Sequence, residues 1–296
     1  MGNTWNIGIF KEQNEFLQTE GNKPANLIST FLGRNLRTGF QHIHTYADPF
    51  LFEEKGDLYL IAEIQAVGDP GYINCWKYTD YEKWENIGPV LKTVSHHSYP
   101  FIFRDRNEVY ILPESSETGE VSLWKFENFP KGLKKVKTIL KGAYVDSNII
   151  FHNNRYYLFT TNSTDELLIF SSDELLSDTW ISHPSNPVSN NKQISRNGGG
   201  IMVYGNKLVR IAQNGTNGYG GGIIFLDILT LNEFQYEEII SIDDFKPLQN
   251  YSWQRLGRHH LSVCNFRGNV FIAMDGYAKD ITINKFINGF FKFFKK

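Results

Sequence analysis

A short apolar run, a polar turn and a second apolar run recur five times along this chain, and no other feature restricts its fold as much. The first copy runs from Asp48-Pro-Phe-Leu-Phe through a turn at Glu53–Asp57 to Leu58-Tyr-Leu-Ile-Ala-Glu63. The second runs from Tyr99-Pro-Phe-Ile-Phe through Arg104–Glu108 to Val109-Tyr-Ile-Leu-Pro-Glu114. The third joins Asp146-Ser-Asn-Ile-Ile-Phe to Tyr156-Tyr-Leu-Phe-Thr-Thr161. The fourth joins Gly199-Gly-Ile-Met-Val to Lys207-Leu-Val-Arg-Ile, and the fifth His260-Leu-Ser-Val-Cys to Val270-Phe-Ile-Ala-Met. Turns rich in Asn, Asp and Gly between β-branched and aromatic runs read as β-hairpins. The copies start at positions 48, 99, 146, 199 and 260, so the spacings are 51, 47, 53 and 61. Further strand candidates follow at Ile73–Tyr78, Val121–Phe126, Leu167–Ser171 and Gly222–Leu226. A period near fifty with about four strands per copy is that of a propeller blade. No helical pattern of useful length lies between the copies. The expected fold is all-β, a five-bladed β-propeller over residues 1–280, followed by a basic, Phe-rich tail at 281–296.

Registration within the repeat picks out candidate site residues. Pro49 to Glu63, Pro100 to Glu114 and Ser147 to Thr161 are equal steps of fourteen residues. Side chains at equal offsets take equivalent places in their blades, and the first strand of each blade lines the central channel. Asp48, Tyr99, Asp146, Gly199 and His260 are therefore expected to approach one axis. Three carboxylates stand out: Asp48 and Asp146 at the head of first strands, and Glu114 at the end of a second. Cleaving or remaking a glycosidic bond takes one acid to protonate the leaving oxygen and a second carboxylate as base or nucleophile. A third tunes the acid through like-charge proximity. Each has a plainer explanation too. Asp-Pro initiates turns, Asp146 before Ser147 suits backbone capping, and Glu114 suits a solvated strand end. Glu63 is the first-blade equivalent of Glu114, either a ligand contact or a structural hydrogen-bonding group.

Composition excludes several classes. The 296 residues carry a formal charge of −2, which gives no electrostatic footprint for nucleic acid. Two cysteines, Cys75 and Cys264, are too few for a secreted disulfide scaffold. No stretch approaches the ~20 apolar residues of a membrane span, and Met1–Phe10 lacks the pattern of a signal peptide. The expected location is cytoplasmic. The segment Lys285–Lys296 interleaves five phenylalanines with four lysines. It reads either as a peripheral contact with an anionic membrane face or as a last element packed on the body.

Histidines come in pairs, His42/His44, His96/His97 and His259/His260. Adjacent residues of a strand point to opposite faces, so one of each neighbouring pair serves the channel. His97, with Ser98 and Tyr99, and His260 are the expected sugar contacts. No carboxylate or cysteine cluster of metal spacing accompanies them, so no metal and no cofactor is expected. Arg196 precedes Asn197 and a glycine run, a place for a cation that meets a carboxylate, a phosphate or a catalytic Asp. Neither glycine run, Gly198–Gly200 or Gly218–Gly222, has phosphate-loop spacing. Trp76, Trp124 and Tyr219 are candidates for stacking on a sugar face, with packing between blades as the plainer role.

The ordered set Ala47-Asp-Pro-Phe-Leu-Phe, His97-Ser-Tyr-Pro-Phe-Ile-Phe, Pro113-Glu-Ser, Asp146-Ser-Asn-Ile, Trp180 with His183-Pro-Ser-Asn-Pro-Val188, and Arg196-Asn-Gly-Gly resembles one known domain. It is the propeller at the N-terminus of plant glucosamine inositolphosphorylceramide transferases, with bacterial relatives in polysaccharide gene clusters. The resemblance spans Trp5 to about Tyr277. That domain is in turn similar to five-bladed glycosidases of the arabinanase, xylosidase and invertase type. By that resemblance Asp48 is the nucleophile or base, Glu114 the acid and Asp146 the residue that modulates it. The invertase-type Asn-Asp-Pro-Asn reads Ala-Asp-Pro-Phe here, and its Arg-Asp-Pro reads Asp-Ser-Asn. The resemblance implies action on a furanosyl glycoside by transfer or hydrolysis in bacterial surface-polysaccharide assembly. The partners expected are a sugar, a sugar nucleotide or a glycan. The other readings are a carbohydrate-binding module without catalysis and a scaffold for a partner enzyme.

Overall fold

The computed structural model describes residues 3–13, 24–33, 43–79, 81–247 and 249–279. The chain begins with β1 (Asn3–Glu12) and β2 (Leu27–Leu32), an antiparallel pair. Blade I then comprises β3 (Ile43–Glu54), β4 (Asp57–Ala66), β5 (Tyr72–Tyr78) and β6 (Trp84–Leu91), in that spatial order. Blade II comprises β7 (Ser98–Asp105), β8 (Glu108–Glu114), β9 (Glu120–Asn128) and β10 (Lys131–Lys141). Blade III comprises β11 (Val145–His152), β12 (Arg155–Thr161), β13 (Leu167–Ser172) and the short β14 (Ile181–Ser182). In blade IV the inner strand is split into β15 (Arg196–Asn197) and β16 (Met202–Tyr204), both paired with β17 (Lys207–Gln213), and β18 (Ile223–Leu231) and β19 (Tyr236–Ile242) follow. Blade V joins β20 (Leu261–Phe266) and β21 (Asn269–Lys279) to β1 and β2 from the other end of the chain. The last blade thus closes the ring with N-terminal strands, which the repeat pattern had left unassigned. Among the described residues the only helical pieces are two 3₁₀ turns, Ser116–Thr118 and Ser252–Gln254. No described helix is long and apolar enough to cross a membrane. The tail at 281–296 lies outside the described residues.

Alternating strands put one apolar row on each face of a blade, and neighbouring blades bury these rows against each other. Ile61, Cys75, Ile111, Leu123 and Leu158 share one cluster across blades I to III. Ile211, Phe225, Leu261 and Met274 share another across blades IV and V. A Leu or Ile to Ala change in such a position typically costs about 2–5 kcal/mol.

The inner strands of blades I, II and III share one irregularity, and it builds the site. Their registers break between Ala47 and Phe50, Ser98 and Phe101, and Val145 and Asn148. Just after the first residue of each break, Asp48, Tyr99 and Asp146 have φ of 50°, 39° and 50°. A non-glycine residue held there costs on the order of 1–3 kcal/mol and persists only where its surroundings fix it. Here the freed N–H groups are each taken by a carboxylate. Asp48 N–H donates to Asp275 Oδ2 (3.1 Å), Tyr99 N–H to Asp48 Oδ2 (3.0 Å) and Asp146 N–H to Glu114 Oε2 (3.3 Å).

Candidate active site

The bulges turn the heads of the inner strands into the wall of a cavity of about 240 Å³ at one mouth of the channel. Asp48, Glu63, Ser98, Glu114, Asp146, Arg196 and Tyr219 line it, drawn from four blades. Trp5, Thr45, Ala47, Gln65, His96 and His259, none of them expected there, complete the wall. The fourteen-residue step has a structural basis: Glu63 pairs with Ala47, Glu114 with Ser98 and Thr161 with Val145, each opposite the residue before its bulge. Gln213, opposite Arg196, is the fourth member of this series. The same step taken from Leu261 reaches Asp275, whose N–H donates to the His260 carbonyl at 3.1 Å.

Three expected side chains do not line the cavity. His97 lies beneath it, buried, its Nε2 2.9 Å from Thr93 Oγ1, and its neighbour His96 faces the cavity instead. Both precede β7 in a loop, where strand alternation does not fix the phase. His260 is wholly buried in the channel between Phe50 and Tyr99, with ring centroids 4.6 and 5.1 Å away. Burial pushes its pKa down to about 3, so it is a neutral core residue, and His259 is the one in the cavity. The Tyr99 side chain also lies in the channel, its hydroxyl donating to the Gly199 carbonyl at 2.8 Å, so Tyr99 serves the site through its N–H alone. Trp76 and Trp124 pack between strands, and Trp5 supplies the indole at the cavity. His42 lies outside the described residues, and His44 Nδ1 meets Thr45 Oγ1 at 2.8 Å.

Charge is arranged unevenly around the cavity. On one side Asp146 Oδ2 receives Arg196 Nε at 2.5 Å and Gln213 Nε2 at 2.8 Å, a buried and satisfied ion pair. Arg196 is held by the strand behind it. Arg210, wholly buried, forks onto both oxygens of Glu238 (2.8 and 2.6 Å) and donates to Asn197 Oδ1 (3.2 Å). Asn197 in turn donates to the Asp146 carbonyl at 2.8 Å. On the other side Glu114 accepts from Ser116 Oγ at 3.2 Å. Burial, with Asp146 next, pushes the Glu114 pKa up to about 8, against the pull of Arg196. Burial likewise raises Asp48 to about 7, with His259 opposing and Asp275 reinforcing the rise. Glu63 is driven well above the usual carboxylate range by burial and by Asp48, its nearest cation source being His96 Nε2 at 3.4 Å.

Asp275, His259 and Asp48 form a buried chain. Asp275 Oδ2 lies 2.7 Å from His259 Nδ1, and His259 Nε2 lies 3.7 Å from Asp48 Oδ1 and 2.6 Å from the Tyr219 hydroxyl. Trp5 stacks on the imidazole with centroids 4.1 Å apart. Burial alone lowers the His259 pKa, yet Asp275 and Asp48 outweigh it and the net shift is upward. One ligand atom from each of Asp48, His259 and Asp275 falls within 4.8 Å of the others, close enough to hold a cation. Asp275, however, already accepts from the N–H groups of His259 (3.1 Å) and His260 (2.9 Å) at Oδ1, and from Asp48 N–H and His259 at Oδ2. Three backbone N–H donors and the His259 ion pair take up most of the acceptor capacity of the Asp275 carboxylate, so the trio fits a metal poorly.

Comparison with known proteins follows the fold closely. The family model for the N-terminal region of glucosamine inositolphosphorylceramide transferase 1 matches residues 34–277. The Arabidopsis thaliana glucosamine inositolphosphorylceramide transferase 1 is 30% identical over 300 residues, covering 92% of this chain and 38% of that protein. The chain therefore spans well under half the length of this relative. Among solved structures, the catalytic domain of a Coprinopsis cinerea GH62 α-L-arabinofuranosidase superposes with a TM-score of 0.59 at 11% identity, over 82% of this chain and 94% of that one. A thermostable family-43 glycoside hydrolase superposes with a TM-score of 0.54 at 13% identity, over 72% and 80% of the two chains. At such identities the likeness is one of fold.

Proposed function

The chain belongs to the family of the N-terminal region of glucosamine inositolphosphorylceramide transferase 1, and on that premise we propose that its cavity binds a sugar and acts on a glycosidic bond. The observation that carries this reading is the meeting of Asp48, Glu63, Glu114 and Asp146, from three blades, with Arg196 from a fourth around one small cavity. About 240 Å³ is below the ~300–1,000 Å³ of drug-sized sites, which suits one sugar ring with the rest of a glycan outside. Glu114, neutral at pH 7, is the proton donor to the leaving oxygen. Asp48, oriented by Tyr99 N–H and faced by His259, is the base or nucleophile. Asp146 holds Arg196 against the cavity wall and raises the Glu114 pKa. Trp5 and Tyr219 offer aromatic surface to a sugar face. A furanosyl glycoside, and transfer or hydrolysis during surface-polysaccharide assembly, is the narrower form of the proposal.

The second reading is a sugar-binding module serving a partner enzyme, favoured by the 38% of the plant relative that this chain spans. One experiment separates the two. A panel of aryl furanosides and pyranosides is assayed for turnover and, by ligand-observed NMR, for binding, with the wild type, Asp48→Asn and Glu114→Gln. Catalysis predicts losses of orders of magnitude in turnover without loss of stability. Binding without turnover supports the module, and absence of binding to every saccharide sinks both readings.

A further inference from the structure

A second cavity, of about 540 Å³, adjoins the candidate site and has the opposite charge. Its wall includes Lys246, Gln254, Arg255 and Arg258, from the segment between β19 and β20. Consecutive residues face the two cavities: Arg258 lines the basic one and His259 the acidic one. The partition between them is thin and fixed. Arg258 N–H donates to the Gly220 carbonyl at 2.8 Å, and Tyr277 N–H donates to the Gly257 carbonyl at 2.9 Å. A Cβ on Gly257 would lie 2.1 Å from the Gly220 oxygen, and one on Gly220, at φ +77°, would lie 2.7 Å from the Tyr277 ring. Only glycine allows the strands of this partition to lie so close. The run Gly218–Gly222, which has no phosphate-loop spacing, thus has a structural role between two pockets of opposite sign.

The basic cavity carries more cation than its neighbours neutralise. Asp244 is the acid that meets Lys246 (2.7 Å) and Arg258, and it serves both. Arg258 is further fixed by donation from Nε to the Phe245 carbonyl at 2.9 Å. Arg255 takes no ion pair among the described residues. Three cations against one shared carboxylate leave a surplus of two positive charges, the charge of a phosphate group with sign reversed. Gln254, 7% exposed, lines the same cavity. Arginine forks match phosphate oxygens in geometry as well as charge.

We propose that this cavity binds a phosphate group, independently of the sugar reading above. The test uses the full chain. Inorganic phosphate is titrated by isothermal calorimetry into the wild type, Arg255→Gln and Lys246→Gln/Arg255→Gln, with Arg258 left alone because it also braces the loop. Saturable binding is expected, weakened roughly tenfold by Arg255→Gln, the scale of one charge-assisted hydrogen bond, weaker still in the double variant, and falling with added salt. Absence of saturable binding, or equal binding by the double variant, overturns the phosphate site.

Discussion

The buried carboxyls make a definite statement about stability and pH. Asp48 moves from an ordinary value of 3.8 to about 7, and Glu114 from 4.5 to about 8, burial being the largest cause in both. Raised carboxyl pKa values mean that the folded protein holds protons that the unfolded chain has released. Stability therefore falls as pH rises between the unfolded and folded values. His259, also raised, acts in the same direction as pH passes its folded value. Asp275, lowered by His259 against the opposing effect of burial, acts oppositely, but only as pH falls below about 4. Each differential proton changes the unfolding free energy by ~1.4 kcal/mol per pH unit, so Asp48 and Glu114 together give about 2.7 kcal/mol per unit near pH 5.5. Urea unfolding followed by tryptophan fluorescence at pH 5.0, 6.0 and 7.0 measures the slope. Asp48→Asn/Glu114→Gln mimics the protonated pair and should remove their share of the slope, leaving that of Glu63 and the histidines and a variant more stable than the wild type at pH 8. His44, His96, His97, His183 and His260, all lowered by burial, act oppositely below about pH 6.5, so the decisive quantity is the difference between the two proteins: equal slopes for the wild type and the double variant from pH 5 to 7 would show that both carboxyls are ionised in the folded protein, and would refute the acid role of Glu114.

Two further outcomes are expected. Asp275→Asn removes a carboxylate that accepts from three backbone N–H groups and an imidazole, leaving His259 without its counter-charge. Breaking a buried pair in this way costs about 3–5 kcal/mol, visible in calorimetry as a fall in Tm of roughly 6 °C or more, and a loss under about 1 kcal/mol would contradict the pairing of Asp275 with His259. If the cavity turns over a glycoside, its rate should peak between about pH 7 and 8, where Asp48 is ionised and Glu114 still protonated; Glu114→Gln should remove the alkaline limb, and an optimum near pH 4.5 would reverse the assignment.

The repeat made the fold and the carboxylates legible because a fixed step of fourteen residues encodes a fixed place in a blade. It led from Pro49 to Glu63 and from Pro100 to Glu114, and the same step from Leu261 would have led to Asp275 had the fifth copy been followed one residue past Met274. Phase was not legible. Strand alternation says that one of His96 and His97 faces the cavity, yet which one depends on the loop ahead of β7. At Asp48 a left-handed residue lets Ala47 and Asp48 both line the wall, which alternation forbids. Tyr99 was misplaced for the same reason, since its bulge delivers an N–H to Asp48 and sends the ring down the channel. Trp5 was invisible because β1 belongs to a blade whose β20 and β21 lie some 260 residues later, and no local pattern joins Asn3–Glu12 to Asn269–Lys279.

Those long-range pairings explain why site and ring depend on each other. Asp275 of blade V fixes the N–H of Asp48 in blade I, Asp48 fixes that of Tyr99 in blade II, Glu114 of blade II fixes that of Asp146 in blade III, and Asn197 of blade IV fixes the Asp146 carbonyl. Each of these three strained residues, Asp48, Tyr99 and Asp146, is thus held by a carboxylate from the preceding blade. A carboxylate that spends one oxygen on a neighbour's backbone keeps the other for the cavity, as Asp48 does with Oδ2 on Tyr99 and Oδ1 toward His259. Strain, burial and the raised pKa values are therefore consequences of one arrangement. The chain of contacts starts at Asp275 on β21, and β21 is held in register by ten pairings with β1. The acid–base character of the cavity therefore forms only when the two ends of the chain have met.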